Sequence, residues 1–400
     1  VNRIIIENGT VVTPFRTIDQ GGVVIEEGVI SGVFAGGWNG PRDGAEVVDA
    51  KGQYIAPGFI DIHTHGAGGS DFMDGTLGAF QEAAKTHLQH GTTTLVPTTL
   101  TSTMAELYST LDLFAAAKES MGATGPNLHG IHLEGPYFSL EQKGAQDPRY
   151  IKDPTPAEYI EVLDYSSEIV RWTLAPEVPG ALAMGRELRR RGVVPSIGHS
   201  NAVYEEVLDA LANGFELITH LYSGMSGLIR IKGYRYAGVI ETALLSDALT
   251  VEIIADGHHL PESLLKLIYK CKGSDRICLV TDSMRGAGMP DGTYRLGSLQ
   301  DGQDVLVEEG VAKLPDRTAF AGSVATANRL LQTMVETAGV SIQEAVVMLT
   351  ATPARVMGIA DRKGALAEGL DADIVVFDRQ FRVNRVFCGG KPVPCPSGAQ

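Results

Sequence analysis

After residue 54 the chain repeats one pattern: a short apolar run, a turn, then in most cases a helical segment. Eight runs can be read: "YIAPGFIDIHTH", "GTTTLVPT", "NLHGIHLEGP", "VRWTLAPE", "GVVPSIGHS", "FELITHLYSG", "TVEIIADGHH" and "RICLVTDSM". Between them, "NAVYEEVLDALANG" puts Val203, Val207, Leu208 and Leu211 on one helical face, with Gly214 as its stop. Further on, "SIQEAVVML" offers Ser341 and Glu344 as a capping box. Strands that alternate with helices need crossover connections, and so a parallel sheet. Eight such units predict an α/β fold, a closed (β/α)8 TIM barrel. An open doubly wound sheet is the rival; it would gather its ligand at one switch point.

The two ends read differently. "RIIIENGTVVT" and "GVVIEEGVISGVF" near the start, and "GLDADIVVFDRQFRVNRVFCGGKPV" near the end, are short strands with tight turns. Neither end buries a core alone. Together, residues 1–55 and 360–400 predict a small β-sandwich domain beside a barrel domain of residues 56–359.

In barrels of this kind the chemistry sits at the C-terminal strand ends. In "PGFIDIHTHGAGG", His63 and His65 point to one face because strand side chains alternate, and the glycines after them allow a sharp turn. The third run ends in Glu134, the fifth in His199, the sixth in His220, the seventh in His258 and His259, and the eighth in Asp282. Each has a structural reading when taken singly. A lone strand-end histidine is more often hydrogen-bonded than a ligand, Glu134 before Gly-Pro can hold a turn, and Asp282 can cap a helix. Jointly, His63, His65, Glu134, His199 and His220 match the donor set of zinc or a similar divalent ion. Such an ion lowers the pKa of bound water to about 7. Asp282 can then take the proton of that water and return it to a leaving amine. His259 or His258 can donate a hydrogen bond to the carbonyl oxygen or to substrate hydroxyls. Together these groups describe amide hydrolysis. The remaining candidates read as structural: His132 as packing one layer deeper, His87 and His90 as helix-surface residues, Glu177 as a cap.

A net charge of −15 argues against nucleic acid and anionic membrane as partners. No apolar run is long enough to span a bilayer. The opening "VNRIIIENGTVVTP" lacks the marks of a signal peptide. Cys271, Cys278, Cys388 and Cys395 show no zinc-knuckle or redox spacing, so reduced thiols and a cytoplasmic setting are expected.

The segments "PGFIDIHTHG", "GIHLEGPYFS", "IGHS", "THLYSGM", "IADGHHL", "LVTDS" and "LTATPARVMGI…KGALAEGLDADIVVFD" resemble the amidohydrolase superfamily. More narrowly, they resemble its branch of amino-sugar phosphate deacetylases. The resemblance runs nearly end to end. "HLEGP" with "THLY" is specific to that branch, whereas His-x-His marks only the superfamily.

The resemblance implies that Glu134, His199 and His220 hold the principal cation, and that His63 and His65 hold a second, with Glu134 between them. One or two divalent ions per subunit follow, zinc first, with iron, manganese or cobalt as alternatives. Asp282 matches the acid/base. His259 matches a contact to the substrate carbonyl and hydroxyls. Ser223 and Gly224 match the phosphate position, where the family commonly has Asn-Ala. An arginine of the next loop usually assists, often from a neighbouring subunit, which implies a homodimer; Arg230, Lys232 and Arg235 are the candidates here. Gln146 stands near where the family has a histidine and is taken as a substrate contact. Arg285, in an unusual "SMRGAGMPDG", is expected to enter the pocket.

The implied reaction is deacetylation of an N-acetyl-amino-sugar 6-phosphate, N-acetylglucosamine 6-phosphate before N-acetylgalactosamine 6-phosphate. Other amidohydrolase activities, on cyclic amides or N-acyl amino acids, are the alternative. Many cyclic-amide members bridge their metals with a lysine on strand 4, and "VRWTLAPE" has none. A non-catalytic scaffold would have lost ligands that this chain keeps.

Overall fold

The computed structural model describes residues 3–122 and 125–394. Eight parallel strands make the central sheet: β1 (Phe59–Thr64), β2 (Thr92–Thr99), β3 (Ile131–Glu134), β4 (Ile169–Leu174), β5 (Val194–Ile197), β6 (Leu217–Ile218), β7 (Thr250–Ile253) and β8 (Ile277–Leu279). They pair in chain order, and Asn127–Leu128 adds a short pairing to β2 just before β3. Beyond β8 the Asp282 N–H donates to His63 O at 2.9 Å, and the His65 N–H donates to Ser283 O at 2.8 Å, which closes the ring. This is the expected (β/α)8 barrel.

The strands are rich in β-branched residues. All of β2, "TTTLVPTT", is buried, as a strand covered on both faces requires. Outward side chains such as Leu95, Leu133, Trp172, Ile197 and Leu279 join Phe80, Phe114, Met184, Val207 and Leu330 of the surrounding helices in the main apolar core. Burying each contributes about 1.5–3 kcal/mol. Inside the barrel an apolar cluster of Ile60, Ile62, Val96, Leu217, Cys278 and Val280 accompanies a polar layer in which Thr98, His132, Arg171, Thr173, Ser196, Thr219 and Glu252 are all buried and joined by hydrogen bonds. His132 bonds Thr98 and Thr173, the packing role expected of it. In the helix Tyr204–Ala212, Val207 is buried but Leu208 is exposed, so the apolar face is narrower than the sequence suggests. Ser341 caps Ile342–Leu349 by accepting from the Glu344 N–H, as expected.

The first of the apolar runs is in fact two strands. Tyr54–Pro57 pairs antiparallel with Ile374–Phe377 in an eight-stranded sheet built from both chain ends, with its own apolar cluster. After Gly58 the chain enters the barrel. A Cβ at Gly58 would collide with Thr93, so the crossing between the two sheets needs glycine.

One further element carried no signal in the sequence reading. A three-stranded sheet (Gly292–Leu296, Gln303–Glu308, Val311–Lys313) is inserted between β8 and the helix Ala327–Glu336. Cys271, Cys278 and Cys388 are free thiols, and Cys395 lies outside the described residues. Among the described residues no helix is long and apolar enough to cross a membrane.

Candidate active site

Six side chains from five strand ends converge at the C-terminal mouth of the barrel. Glu134 is at the centre. Its Oε1 lies 3.2 Å from His199 Nε2, 3.0 Å from His220 Nε2 and 3.6 Å from His63 Nε2. Its Oε2 lies 3.2 Å from His65 Nε2. Asp282 Oδ1 faces His63 and His65 at 3.4 and 3.1 Å. Two sets, His63–His65–Glu134 and Glu134–His199–His220, each bring their ligand atoms within 4.8 Å of one another.

The backbone turns sharply at these positions. His199, His220 and Asp282 take φ of 49°, 27° and 43°, the left-handed region that non-glycine residues avoid. Conformations of this kind persist only where the surrounding structure imposes them, and they concentrate at functional sites.

The rings are fixed from behind. His65 Nδ1 faces Thr98 O at 3.3 Å, and His199 Nδ1 faces Gln142 O at 2.8 Å. A carbonyl can only accept, so Nδ1 carries a hydrogen, and Nε2 is the nitrogen turned to the centre. His63 Nδ1 meets Glu252 Oε2 at 3.2 Å, and Glu252 is itself paired with Arg171. The buried Nε2 of His63 has no hydrogen-bond partner.

Electrostatics give the same answer. Burial opposes protonation of His63 and His65, yet the adjacent Asp282 and Glu134 outweigh it and raise them to about 9 and about 10. Burial likewise opposes ionisation of Glu134 and Asp282, but the histidines hold both below the usual carboxylate range. Two buried carboxylates therefore demand positive charge among four inward-facing nitrogens. Four imidazoles and a bridging carboxylate are donors that suit a divalent cation, which would supply that charge.

The cavity above the ring has about 780 Å³ of open space and is lined by His65, Glu134, His199, His220 and Asp282, with Gln146, Ser223, Gly224, His259 and Phe320 around them. His259 Nδ1 is 2.8 Å from Asp256 Oδ2, and its ring packs on Phe320 at 4.8 Å. His258 instead accepts from Arg329 at 3.2 Å and does not line the cavity. Gln146 donates from Nε2 to Glu134 Oε2 at 2.9 Å, while its Oε1 accepts from Thr101. It therefore touches the ligand carboxylate as well as the cavity. At Gly224, φ is 57° and a Cβ would come within 2.9 Å of both Gln142 O and His199 Nδ1, so glycine lets the chain pass against the site.

Arg230, Lys232 and Arg235 are not brought to the cavity. They sit exposed on the hairpin Ile229–Ile231 and Tyr234–Tyr236. Arg285 does not enter it either. Its buried guanidinium pairs with Asp74 at 2.8 Å and donates to Arg295 O and Gly297 O, clamping the inserted sheet to the barrel rim. His87 is fully buried, and its Nε2 lies 2.9 Å from Thr64 Oγ1, so it is not a surface residue. Sequence reasoning missed Glu252, Arg171 and Asp256. Their signal was present: charged residues inside the apolar runs "TVEII" and "VRWTL", and an aspartate three positions before His259.

An amidohydrolase family profile matches residues 54–393. N-acetylglucosamine-6-phosphate deacetylase of Vibrio furnissii is 35% identical over 371 residues, 92% of this chain and 90% of that protein. N-acetylgalactosamine-6-phosphate deacetylase of Escherichia coli O157:H7 is 32% identical over 346 residues, 86% of this chain and 89% of its own. A mutant N-acetyl-D-glucosamine-6-phosphate deacetylase from Mycobacterium smegmatis, solved in complex with N-acetyl-D-glucosamine-6-phosphate, superposes with a TM-score of 0.89 at 32% identity, covering 98% of this chain and 100% of that one. The matched span takes in every strand of the barrel and the whole ring around Glu134, and the chain belongs to the amidohydrolase family.

Proposed function

We propose that the protein hydrolyses the acetamide of N-acetylglucosamine 6-phosphate, giving glucosamine 6-phosphate and acetate. The observation that carries this reading is the convergence of His63, His65, Glu134, His199, His220 and Asp282 on one buried centre. Similarity to deacetylases over most of the chain supports the substrate class. Glu134, His199 and His220 would hold one divalent cation, and His63 and His65 with Glu134 a second, zinc being the first choice. A cation there supplies a Lewis acid for the amide carbonyl and acidifies water at neutral pH.

The chain's own groups do the rest. Asp282, ionised and on the cavity side of the ring, takes the proton of the attacking water and delivers it to the leaving nitrogen. Asp256 fixes His259 through Nδ1, which leaves Nε2 for the substrate's carbonyl or hydroxyl oxygens. Gln146 orients Glu134. Ser223 and Gly224, following His220, take the phosphate end. One of Arg230, Lys232 and Arg235 supplies its counter-charge from the second subunit of a homodimer, since none lines the cavity of its own chain. A cytoplasmic setting accords with three free thiols.

The test is a deacetylation assay on N-acetylglucosamine and N-acetylgalactosamine, each with and without the 6-phosphate, with metal analysis of the same sample. Highest kcat/KM on N-acetylglucosamine 6-phosphate is expected. No turnover of any of the four would reject the assignment. Preference for the galacto-configured phosphate would move it to the other deacetylase class.

A further inference from the structure

A second cavity stands directly behind the catalytic one. It is a shallow cleft with a cavity volume of about 40 Å³, open to solvent on a side that carries Glu106, Asp147 and Asp301, and four of its lining residues, Leu100, Ala145, Gln146 and Leu296, also line the catalytic cavity. These four residues form the partition between the two. Its apolar part is a single patch, because Leu100 and Ala145 pack against the cluster that contains buried Leu296. Its polar part, Gln146, is tied to Glu134 on one side and Thr101 on the other.

The ring order of the barrel places this partition. In a closed ring of eight, β2 and β3 lie opposite β6 and β7. Ser223 and Gly224 follow β6, and His259 lies beyond β7. Leu100 follows β2, and Ala145 and Gln146 lie in the loop after β3. The reactive carbon must sit at the centre, near Glu134 and Asp282. If the polar sugar phosphate occupies the β6–β7 side, the substituent on the far side of that carbon is directed at Leu100, Ala145 and Leu296.

We propose that Leu100, Ala145 and Leu296 form the acyl wall of the site. The wall restricts hydrolysis to short N-acyl groups, and the cleft behind it becomes an extension for longer ones once the wall is cut back. The inference rests on the function proposed above. The chemistry is that of the acetamide. Oxygen from water joins the acyl carbon, the C–N bond breaks, a proton passes to the amine, and the carboxylate of the longer acid leaves.

The experiment compares kcat/KM for the N-formyl, N-acetyl, N-propanoyl and N-butanoyl derivatives of glucosamine 6-phosphate, using the full chain loaded with divalent metal. One methylene in an apolar pocket changes relative rates by about 10- to 200-fold. The wild-type chain should therefore favour acetyl over butanoyl by at least about tenfold, and Leu100→Ala should raise the butanoyl-to-acetyl ratio by at least about tenfold. Leu100 is only half-buried, so the variant should fold. Ala145→Val provides the reverse arm, lowering the acetyl-to-formyl ratio by narrowing the same wall. Ratios that stay at the wild-type value in both variants overturn the acyl wall while leaving the deacetylase reading intact. A wild-type chain that does not cleave the acetyl substrate rejects that reading, and the wall with it.

Discussion

Glu252 Oε2 lies 3.2 Å from His63 Nδ1, and both side chains are wholly buried. The same oxygen accepts the backbone N–H of His220 at 3.3 Å, while the other oxygen is paired with Arg171. Arg171 in turn reaches Ile62 O at 3.0 Å and the hydroxyls of Ser196 and Thr219, each at 2.9 Å. One carboxylate in the barrel interior therefore sets the orientation of a residue from each half of the ring.

Glu252→Gln keeps the shape and removes the charge. Outer groups that orient a ligand histidine typically account for about 10- to 100-fold in metal affinity. The larger loss is expected at the His63–His65–Glu134 position, because Glu252 holds the His63 imidazole itself, whereas it reaches His220 only through the backbone N–H. Chelator competition with the metal-free chain measures this. Two equally tight positions in the variant would remove Glu252 from the account. Stability should fall as well, by about 3–5 kcal/mol, because Arg171 is left as a buried unpaired charge; urea unfolding reads that loss.

Asp282→Asn removes the proton acceptor and keeps the side-chain volume. Turnover should drop by about 10²- to 10⁴-fold with little change in substrate binding. Steady-state kinetics with metal analysis on the same sample checks it. Near-normal kcat would take Asp282 out of the proton path.

Arg285→Ala cuts the clamp between the barrel rim and the inserted sheet. Breaking a buried pair costs about 3–5 kcal/mol. The inserted segment, residues 292–313, should become the first site of limited proteolysis. Unchanged cleavage kinetics would show that other contacts hold the sheet.

Lys272 is buried and donates from Nζ to Ala243 O at 2.9 Å and Ser246 O at 2.6 Å, at the end of the helix Val239–Leu245. Lys272→Met leaves both carbonyls without that donor and should cost about 1–3 kcal/mol near pH 7. Burial lowers the Lys272 ammonium to about 8, below the value of about 10.4 for an unfolded lysine. Between these values the unfolded chain binds more protons than the folded one, so this group adds stability as pH rises from about 8 to about 10. The urea midpoint of the wild type should climb relative to Lys272→Met over that interval. Parallel pH profiles would contradict the assignment.

The ring around Glu134 was legible because each member closes an apolar run at a strand end, where barrel geometry alone brings distant residues together. Orientation was not legible in the same way. Arg285 lies only three residues after Asp282, yet it turns to Asp74, because its partners come from a loop after β1 and from an insert that no periodicity announces. His87 occupies a helix position that looks polar from the sequence, but it reaches Thr64 beneath the rim. The run "YIAPGFIDIHTH" reads as one strand because periodicity is blind to a change of sheet; only Gly58 marks the crossing. Charged residues in strands, such as Arg171 and Glu252, break the apolar pattern without saying which neighbour they serve.

That crossing bears on how the protein is made. The four residues leading into β1 are held by Ile374–Phe377, more than 300 positions later in the chain. During synthesis, then, the ribosome releases the strand bearing His63 and His65 long before its anchor exists. Chains shortened to end before Ile374 lose that pairing, and are expected to need chaperone protection.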